Sequence, residues 1–329
     1  MDAPAALRDR LVPARLFNDW QRALPLLPRP FDEIGRALGL SGAEVRRLLR
    51  EGIADGTLSR VGAVFGVGAG GAATLAALRV PPGLLDAVAA IVSAEPGVSH
   101  NYAREHEWNL WFVASAPDAG TLDATLARVA AATGLAPLRL PMRRAYRIDL
   151  GFDVFRSHAA SPLRGARTGA PVADALRPLA ARLETQGVPL VERPYAALGA
   201  AVGLSEARVM STFARWLAAG TLRRLGVVLR HHEFGIAANA MTVFAPAEAD
   251  IDSAGERLAA QPGVTLCYRR EAAPDWPYTL YCMVHGRERG AVRRVVDAAT
   301  RAAGLDGVPR EVLFSTRRYK QTGSRYFAS

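Results

Sequence analysis

The chain has 329 residues, half of them hydrophobic and 22% charged, which excludes a disordered or fibrous protein and leaves room for about two domains at ~150 residues each. Its net charge is +10, with +2 over residues 1–160 and +8 over 161–329, and arginine supplies every basic side chain except Lys320. That balance favours polyanions such as nucleic acid, phosphorylated cofactors or polycarboxylates, and arginine adds planar, bidentate donors for carboxylate or phosphate.

Phe31, Ile34 and Leu38 recur at helical spacing and Gly39 then stops the helix. Ser41 with Glu44 three residues on forms a capping-box signature, and Val45, Leu48 and Leu49 supply the apolar side of a second helix. An alternating segment, Thr57–Phe65, follows, so residues 1–65 are expected to form a winged helix-turn-helix. Over 66–155 the pattern predicts a strand at Leu75–Val80, a helix at Leu84–Val92 and strands at Val98–Arg104 and Leu110–Ala114. A helix at Leu122–Ala131 and a strand at Leu138–Tyr146 complete a βαββαβ, ferredoxin-like order. Residues 156–171 carry Gly165, Gly169 and two prolines and are expected to be an exposed linker.

The same grammar then repeats. At a constant offset of 164, Pro25 falls on Pro189, Gly39 on Gly203, Ser41 on Ser205, Gly56 on Gly220 and Gly62 on Gly226. Arg208 stands where the first copy has its capping glutamate. Further on, PGVSHNYAREHEWNLWFV is echoed by PGVTLCYRREAAPDWPYTLYCMV, with a four-residue insertion around APDWP. Residues 172–230 are therefore a second winged helix-turn-helix, and 231–329 a second ferredoxin-like unit with a basic tail. Its strands are expected at Ala240–Phe244, Val264–Arg270, Tyr278–Val284 and Glu311–Arg318, with helices at Ile251–Ala260 and around Val292–Ala299. The fold class is α+β, a tandem duplication whose halves are related by approximate two-fold symmetry with their sheets packed together.

Cys267 and Cys282 lack the spacing of a metal-ligand set or disulfide framework and read as reduced core thiols. No apolar run is long enough to span a bilayer, and MDAPAALRDRLVP has no secretory apolar stretch, so a cytoplasmic location without membrane association is expected.

Five of the six histidines fall in the ferredoxin-like units. His100, Tyr102, Arg104 and His106 occur at period two, which would put all four on one strand face. The second copy offers Tyr268 and Arg270 on one face with Arg269 opposite, then Trp276, Tyr278 and His285, with Arg230, His231 and His232 where the wing ends. Arg317, Arg318 and Lys320 lie in the basic C-terminal stretch, expected to line or cap a ligand site. His100 has Leu266 as its repeat equivalent, so one site assembled from both copies is expected rather than two identical ones. A helix-turn-helix invites a DNA reading, yet neither second helix carries an Asn or Gln for adenine-edge contacts, and DNA binding is not expected.

The segments RHHEFG, ANAM, CYRR, DWPY and MVHG, with HNYAREHEWNLWF in the first copy, carry a family resemblance. The chain resembles the sirohaem decarboxylases of haem d1 and alternative haem biosynthesis, as a fusion of their two homologous subunit types, and in fold the leucine-responsive/asparagine-type regulators. That resemblance implies a carboxy-lyase removing the C12 and C18 acetate carboxyls of sirohaem to give 12,18-didecarboxysirohaem and two CO2. It implies no cofactor beyond the iron tetrapyrrole substrate, whose conjugated ring is the electron sink. His231 is expected to be the principal acid or substrate-orienting histidine, with Tyr268, Arg270, His100 and His106 beside it in catalysis. Arg230, His232, Arg269, Tyr102, Arg104, Trp276, Tyr278, His285, Arg317, Arg318 and Lys320 would bind substrate, and His100 or His106 could ligate its iron. Partners would be sirohaem and a second copy or homologous subunits. The alternatives on the same fold are a haem- or sirohaem-responsive regulator and a non-catalytic partner subunit.

Overall fold

Glycine punctuation and apolar periodicity build each copy as its sequence suggests, while strand edges decide how the copies join. The structure, a computed structural model, describes residues 12–148, 168–229 and 238–328. In the first copy a helix over 12–19 (α1) precedes α2 (Pro30–Leu38) and α3 (Gly42–Ala54). Gly39, at φ 70°, ends α2 in the left-handed conformation that glycine adopts without a Cβ clash, and Gly203 does the same at φ 71° in the second copy. Ser41 and Glu44 form the full capping box on α3. Then come β1 (Leu58–Phe65), β2 (Ala72–Leu78), α4 (Leu85–Ala94), β3 (Val98–Arg104), β4 (Leu110–Ala116), α5 (Ala119–Thr133) and β5 (Leu138–Ile148).

The second copy repeats the order: α6 (Arg177–Gln186), α7 (Pro194–Ala200), α8 (Glu206–Ala218), β6 (Leu222–Leu229), β7 (Ala238–Phe244), α9 (Ile251–Ala259), β8 (Val264–Arg270), β9 (Leu280–Gly286), α10 (Arg289–Ala302) and β10 (Arg310–Gln321). On α8, Ser205 still accepts the Arg208 backbone N–H, without the reciprocal glutamate bond. The expected Tyr278–Val284 strand starts two residues later, because Trp276 and Tyr278 turn inward in the loop carrying the insertion. Of the expected linker, only 168–171 are described, and they are not uniformly exposed. Gly169 is buried, and its N–H donates to the Val67 carbonyl. A Cβ there would meet the Gly220 carbonyl oxygen at 2.4 Å, so glycine is what the close approach admits.

Each ferredoxin-like sheet has the strand order 2-3-1-4 of its own copy, and the inner faces of the two sheets pack together in one core, Leu75, Trp111 and Leu140 against Met241, Tyr281 and Met283. The last strands are long enough to serve both copies. Leu138–Pro141 of β5 pair with β2, and Met142–Ile148 continue along β8. Arg310–Phe314 of β10 pair with β7, and Ser315–Gln321 continue along β3. Eight strands thus close a barrel, β10-β3-β4-β2-β5-β8-β9-β7. Closure satisfies the backbone groups that β3 and β8 would otherwise expose as sheet edges. The helices α4 and α5 cover one outer face and α9 and α10 the other.

The winged units also merge. Strands β1 and β6 pair antiparallel with each other, Gly62 opposite Gly226, and Phe31, Ile34, Val45 and Leu49 share one core with Tyr195, Leu198, Val209 and Phe213. The wing sheet thereby becomes a platform facing the barrel.

Candidate active site

After a bulge near the start of each strand, alternation along β3 and β8 sends one set of side chains to the helices and the other into the barrel. Val98 and Asn101 face the helix layer, where the buried Asn101 amide donates to the Ala89 carbonyl and to Ser93 Oγ. Tyr102 lies opposite Trp111, and Tyr268 opposite Tyr281, residues that fill the barrel interior. Arg104 and Arg270 follow on the same side, each 7% exposed. The Arg104 guanidinium carbon lies 5.7 Å from the Tyr102 ring centroid, and that of Arg270 4.9 Å from Tyr268. Arg104 donates to the Leu313 carbonyl at 3.0 Å and to Asn239 Oδ1 at 3.3 Å, and Arg270 to the Leu140 carbonyl at 2.8 Å. Neither has a carboxylate among its described bonding partners, so two buried cations face an apolar and aromatic interior. Burial pulls Arg104 down to about 10, with the Tyr102 and Tyr268 phenols opposing. Burial likewise pushes both phenols above their usual range, so they are protonated donors near neutral pH.

His100 sits one step earlier on β3, its ring 6.4 Å from that of Tyr102 and its Nδ1 3.0 Å from Ser99 Oγ. It lines a cavity of about 490 Å³ between the wing sheet and the barrel, within the range of small-molecule pockets. Both copies build its walls: Arg60 from β1, Arg223 and Arg224 from β6, Met142 and Ile148 from β5, and Arg318, Lys320 and Ser324 from β10 and the tail beyond it. Glu184 is the acid on this wall among the described residues. Its carboxylate accepts the backbone N–H groups of Tyr326, Phe327 and Ala328. Burial pulls His100 down to about 4, so the imidazole is neutral at neutral pH in the free protein.

A family model described as the AsnC-like ligand binding domain matches residues 69–147 and 233–320, and the siroheme decarboxylase NirDL-like HTH domain matches 14–58 and 184–223. The siroheme decarboxylase NirDL subunit of Paracoccus pantotrophus is 46% identical, covering 94% of this chain and 95% of its own. The chain belongs to the siroheme decarboxylase family. The siroheme decarboxylase NirD subunit of Stutzerimonas stutzeri is 49% identical over 43% of this chain and 92% of its own. A crystal structure of the siroheme decarboxylase NirDL in complex with an iron-uroporphyrin III analogue shares the fold at TM-score 0.67 and 23% identity, covering 97% of this chain and 95% of that one.

In this siroheme decarboxylase the other expected site residues fall in distinct places. His106 is not on the face of β3; it lies in the turn after the strand, where its Nδ1 accepts the Trp108 N–H and its ring meets Trp276 edge-on at 5.3 Å. Trp276 is fully buried, donating to Tyr281 Oη at 2.6 Å, with Tyr278 packed at 4.9 Å. These aromatics extend the barrel interior rather than line the cavity. His285 Nδ1 on β9 meets Thr265 Oγ1 at 2.8 Å, Thr265 being the repeat equivalent of Ser99, which meets His100 within β3. Arg269 points outward to Glu248 and Asp252, and Arg317 binds Asp86 at 2.7 Å on α4. Lys320 reaches the cavity wall while its Nζ donates to the Ser93 and Glu95 carbonyls at the end of α4. Arg230, His231 and His232 lie outside the described residues.

Sequence reasoning passed over Arg60, Arg223, Arg224 and Glu184. The signal for two of them was present: Arg60 and Arg224 stand at the 164-residue offset, each two residues before the matched glycines Gly62 and Gly226. No helix among the described residues is long and apolar enough to cross a membrane.

Proposed function

We propose that the chain removes the C12 and C18 acetate carboxyls of sirohaem, releasing two molecules of CO2 and forming 12,18-didecarboxysirohaem on the way to haem d1. The observation that carries this reading is an arginine-rich cavity built from both copies in a chain of this family. A crystallised NirDL binds an iron-uroporphyrin III analogue, a polycarboxylate of the kind such a cavity suits.

In each half-reaction the bond between the methylene carbon and the carboxyl carbon breaks, CO2 leaves, and the electron pair passes into the conjugated macrocycle. A proton then adds to the methylene carbon and leaves a methyl group. Cationic side chains hold the polyanion, the aromatic interior excludes water, and a protonated group returns the proton. Tyr102 and Tyr268 are suited to that donation or relay, since both phenols stay protonated. Arg104 and Arg270 stabilise negative charge beside them in a low-dielectric setting, where electrostatic effects are largest. His231 is the proposed principal acid or orienting histidine, with His232 and Arg230 at its side. His100, neutral and on the cavity wall, is a second candidate for proton transfer or for axial ligation of the substrate iron.

The winged units serve as the wall of the cavity rather than as readers of DNA, a role supported by the pairing of the two wings with each other. A homodimer or association with homologous subunits fits a family in which chains named as separate subunits match a single half of this one in length. A cytoplasmic site of action fits the buried free thiols of Cys267 and Cys282. Incubating the purified protein with sirohaem and following product mass tests the reading directly. Stepwise loss of two CO2 units is expected; tight binding without mass change would favour a sensor, and neither binding nor conversion would favour a partner subunit.

A further inference from the structure

Two arginines on the wing sheet have a geometric relation that the reading above does not use. Arg60 and Arg224 are repeat equivalents, and β1 and β6 pair antiparallel about the Gly62–Gly226 position. Arg60 lies opposite Val228, and Arg224 opposite Val64. Alternation therefore puts both arginines on the face that carries the two glycines. The other face, with Val61, Ala63, Leu225 and Val227, is committed to the winged-helix core. Four residues separate the two rows, which roots the two side chains about 14 Å apart at the usual rise of a strand, with the Arg60 side chain lying over Gly62 to reach the Ala63 carbonyl. Both line the cavity. Two cations rooted in separate rows of one cavity wall suit an anion that carries more than one carboxylate.

The Arg60 group is held in place with one donor unpaired. Its Nη2 donates to the Ala63 carbonyl at 3.2 Å, its Nε is buried without a hydrogen-bond partner, and the Gly323 backbone passes close over the guanidinium. A buried donor left unpaired is costly, and an incoming carboxylate would remove that cost. Glu184, the acid on the same wall, accepts three backbone N–H groups, and its charge partly offsets the cost of burying the Arg60 cation.

Chemistry selects which carboxylates these are. A bidentate arginine pair stabilises a carboxylate in the ground state, and on a carboxylate about to leave as CO2 that would raise the barrier. We propose that Arg60 and Arg224 form a clamp for the propionates of the tetrapyrrole, which are among the carboxylates that the reaction leaves in place. The inference rests on the substrate proposed above and assigns a specificity role to the wing sheet.

The test compares iron uroporphyrin III with iron coproporphyrin III, which keeps the propionates and lacks the acetates, by absorbance titration of the full chain. Arg60→Ala and Arg224→Ala should each weaken both ligands by the same factor, about 10- to 100-fold for a lost charged pair. In sirohaem turnover the same variants should raise KM by more than they lower kcat. Weakening confined to iron uroporphyrin would assign the clamp to the acetates and overturn the proposal, as would unchanged affinity for both ligands. Arg60→Lys and Arg224→Lys keep the charge without the fork; they should weaken both ligands equally but less, and they carry the comparison if an alanine variant does not fold. Failure of the wild-type protein to convert sirohaem would instead overturn the functional reading, and the paired titrations would still report on the clamp.

Discussion

The Glu184 carboxylate on α6 accepts the backbone N–H of Tyr326 at 2.7 Å, tying the C-terminal tail of the barrel to the winged-helix platform. The same carboxylate takes the N–H groups of Phe327 and Ala328 at 3.1 and 3.2 Å. Phe327 then inserts beside Phe65, ring centroids 4.7 Å apart, in the core shared by both wings. Ser324 and Tyr326, between β10 and this anchor, line the cavity.

The tail is therefore a strap whose release should open the cavity. Glu184→Ala removes three charge-assisted bonds and should cost on the order of 3 kcal/mol, read as a lower Tm, together with weaker sirohaem binding. Truncation after Gly323 should weaken binding similarly while leaving the β10–β3 pairing, which ends at Gln321, intact. Truncation after Thr316 is a harsher experiment, because it removes most of the β10 segment that pairs with β3. Wild-type affinity in the shorter truncation would show that the strap does not shape the site.

His100 makes the protein respond to acid in a defined direction. Its folded value is pulled from 6.5 down to about 4, so on acidification the unfolded chain takes up the proton first. Stability should therefore fall as pH drops from 6.5 towards 4 and be retained above 6.5. His100→Gln should flatten that part of the denaturation-against-pH profile. A polyanionic ligand favours the imidazolium, so binding near pH 5.5 should take up a proton, measurable by calorimetry in buffers of different ionisation enthalpy. Proton release on binding, or an unchanged profile in His100→Gln, would contradict this assignment.

Within each copy the residues were readable because local periodicity sets them. The limits of β3 and β8 and the opposed directions of Arg269 and Arg270 follow from period two, and the structure has all of them. What joins the copies was not readable. The second halves of β5 and β10 each carry two register irregularities, and nothing local says that Arg318 pairs with Tyr102 or Cys267 with Arg147 across copies. The wing–wing pairing is equally non-local, which is why the cavity arginines on β1 and β6 escaped notice. His106 continued the period arithmetically, but the strand had already ended at Arg104, and the turn claimed its ring as a backbone acceptor.

The paired placement of Tyr102–Arg104 and Tyr268–Arg270 predicts a division of labour between the two carboxyl losses. Each phenol lies beside a buried guanidinium in an equivalent strand position, 166 residues apart, in a reaction with two equivalent steps. Tyr102→Phe and Tyr268→Phe keep the ring and its packing while removing the hydroxyl. Each should slow one step by about 10²- to 10⁴-fold, the usual worth of a positioned acid, so that a singly decarboxylated tetrapyrrole accumulates. The two variants should accumulate different regioisomers, distinguishable by NMR of the demetallated product. The same regioisomer from both would mean that the pairs act in a single sequence at one centre.

The remaining assignment concerns His231, beyond the described residues but directly after the end of β6 at Leu229, which lines the cavity. If His231 returns the proton, His231→Ala should bind sirohaem yet turn it over at least ~100-fold more slowly. His232→Ala should be milder if the chain there keeps the alternation of a strand, which sends neighbouring side chains to opposite faces. Single-turnover decarboxylation with enzyme in excess, paired with the spectrum of the bound ligand, separates the possible roles. A slow step with an unchanged spectrum supports the acid, and near-normal turnover removes that assignment. Altered axial ligation in His231→Ala would place His231 on the substrate iron and move proton transfer to His100 and the two tyrosines. The same measurement on His100→Gln is the necessary counterpart. His100 faces the cavity with an imidazole that is neutral at neutral pH, the form in which histidine binds iron.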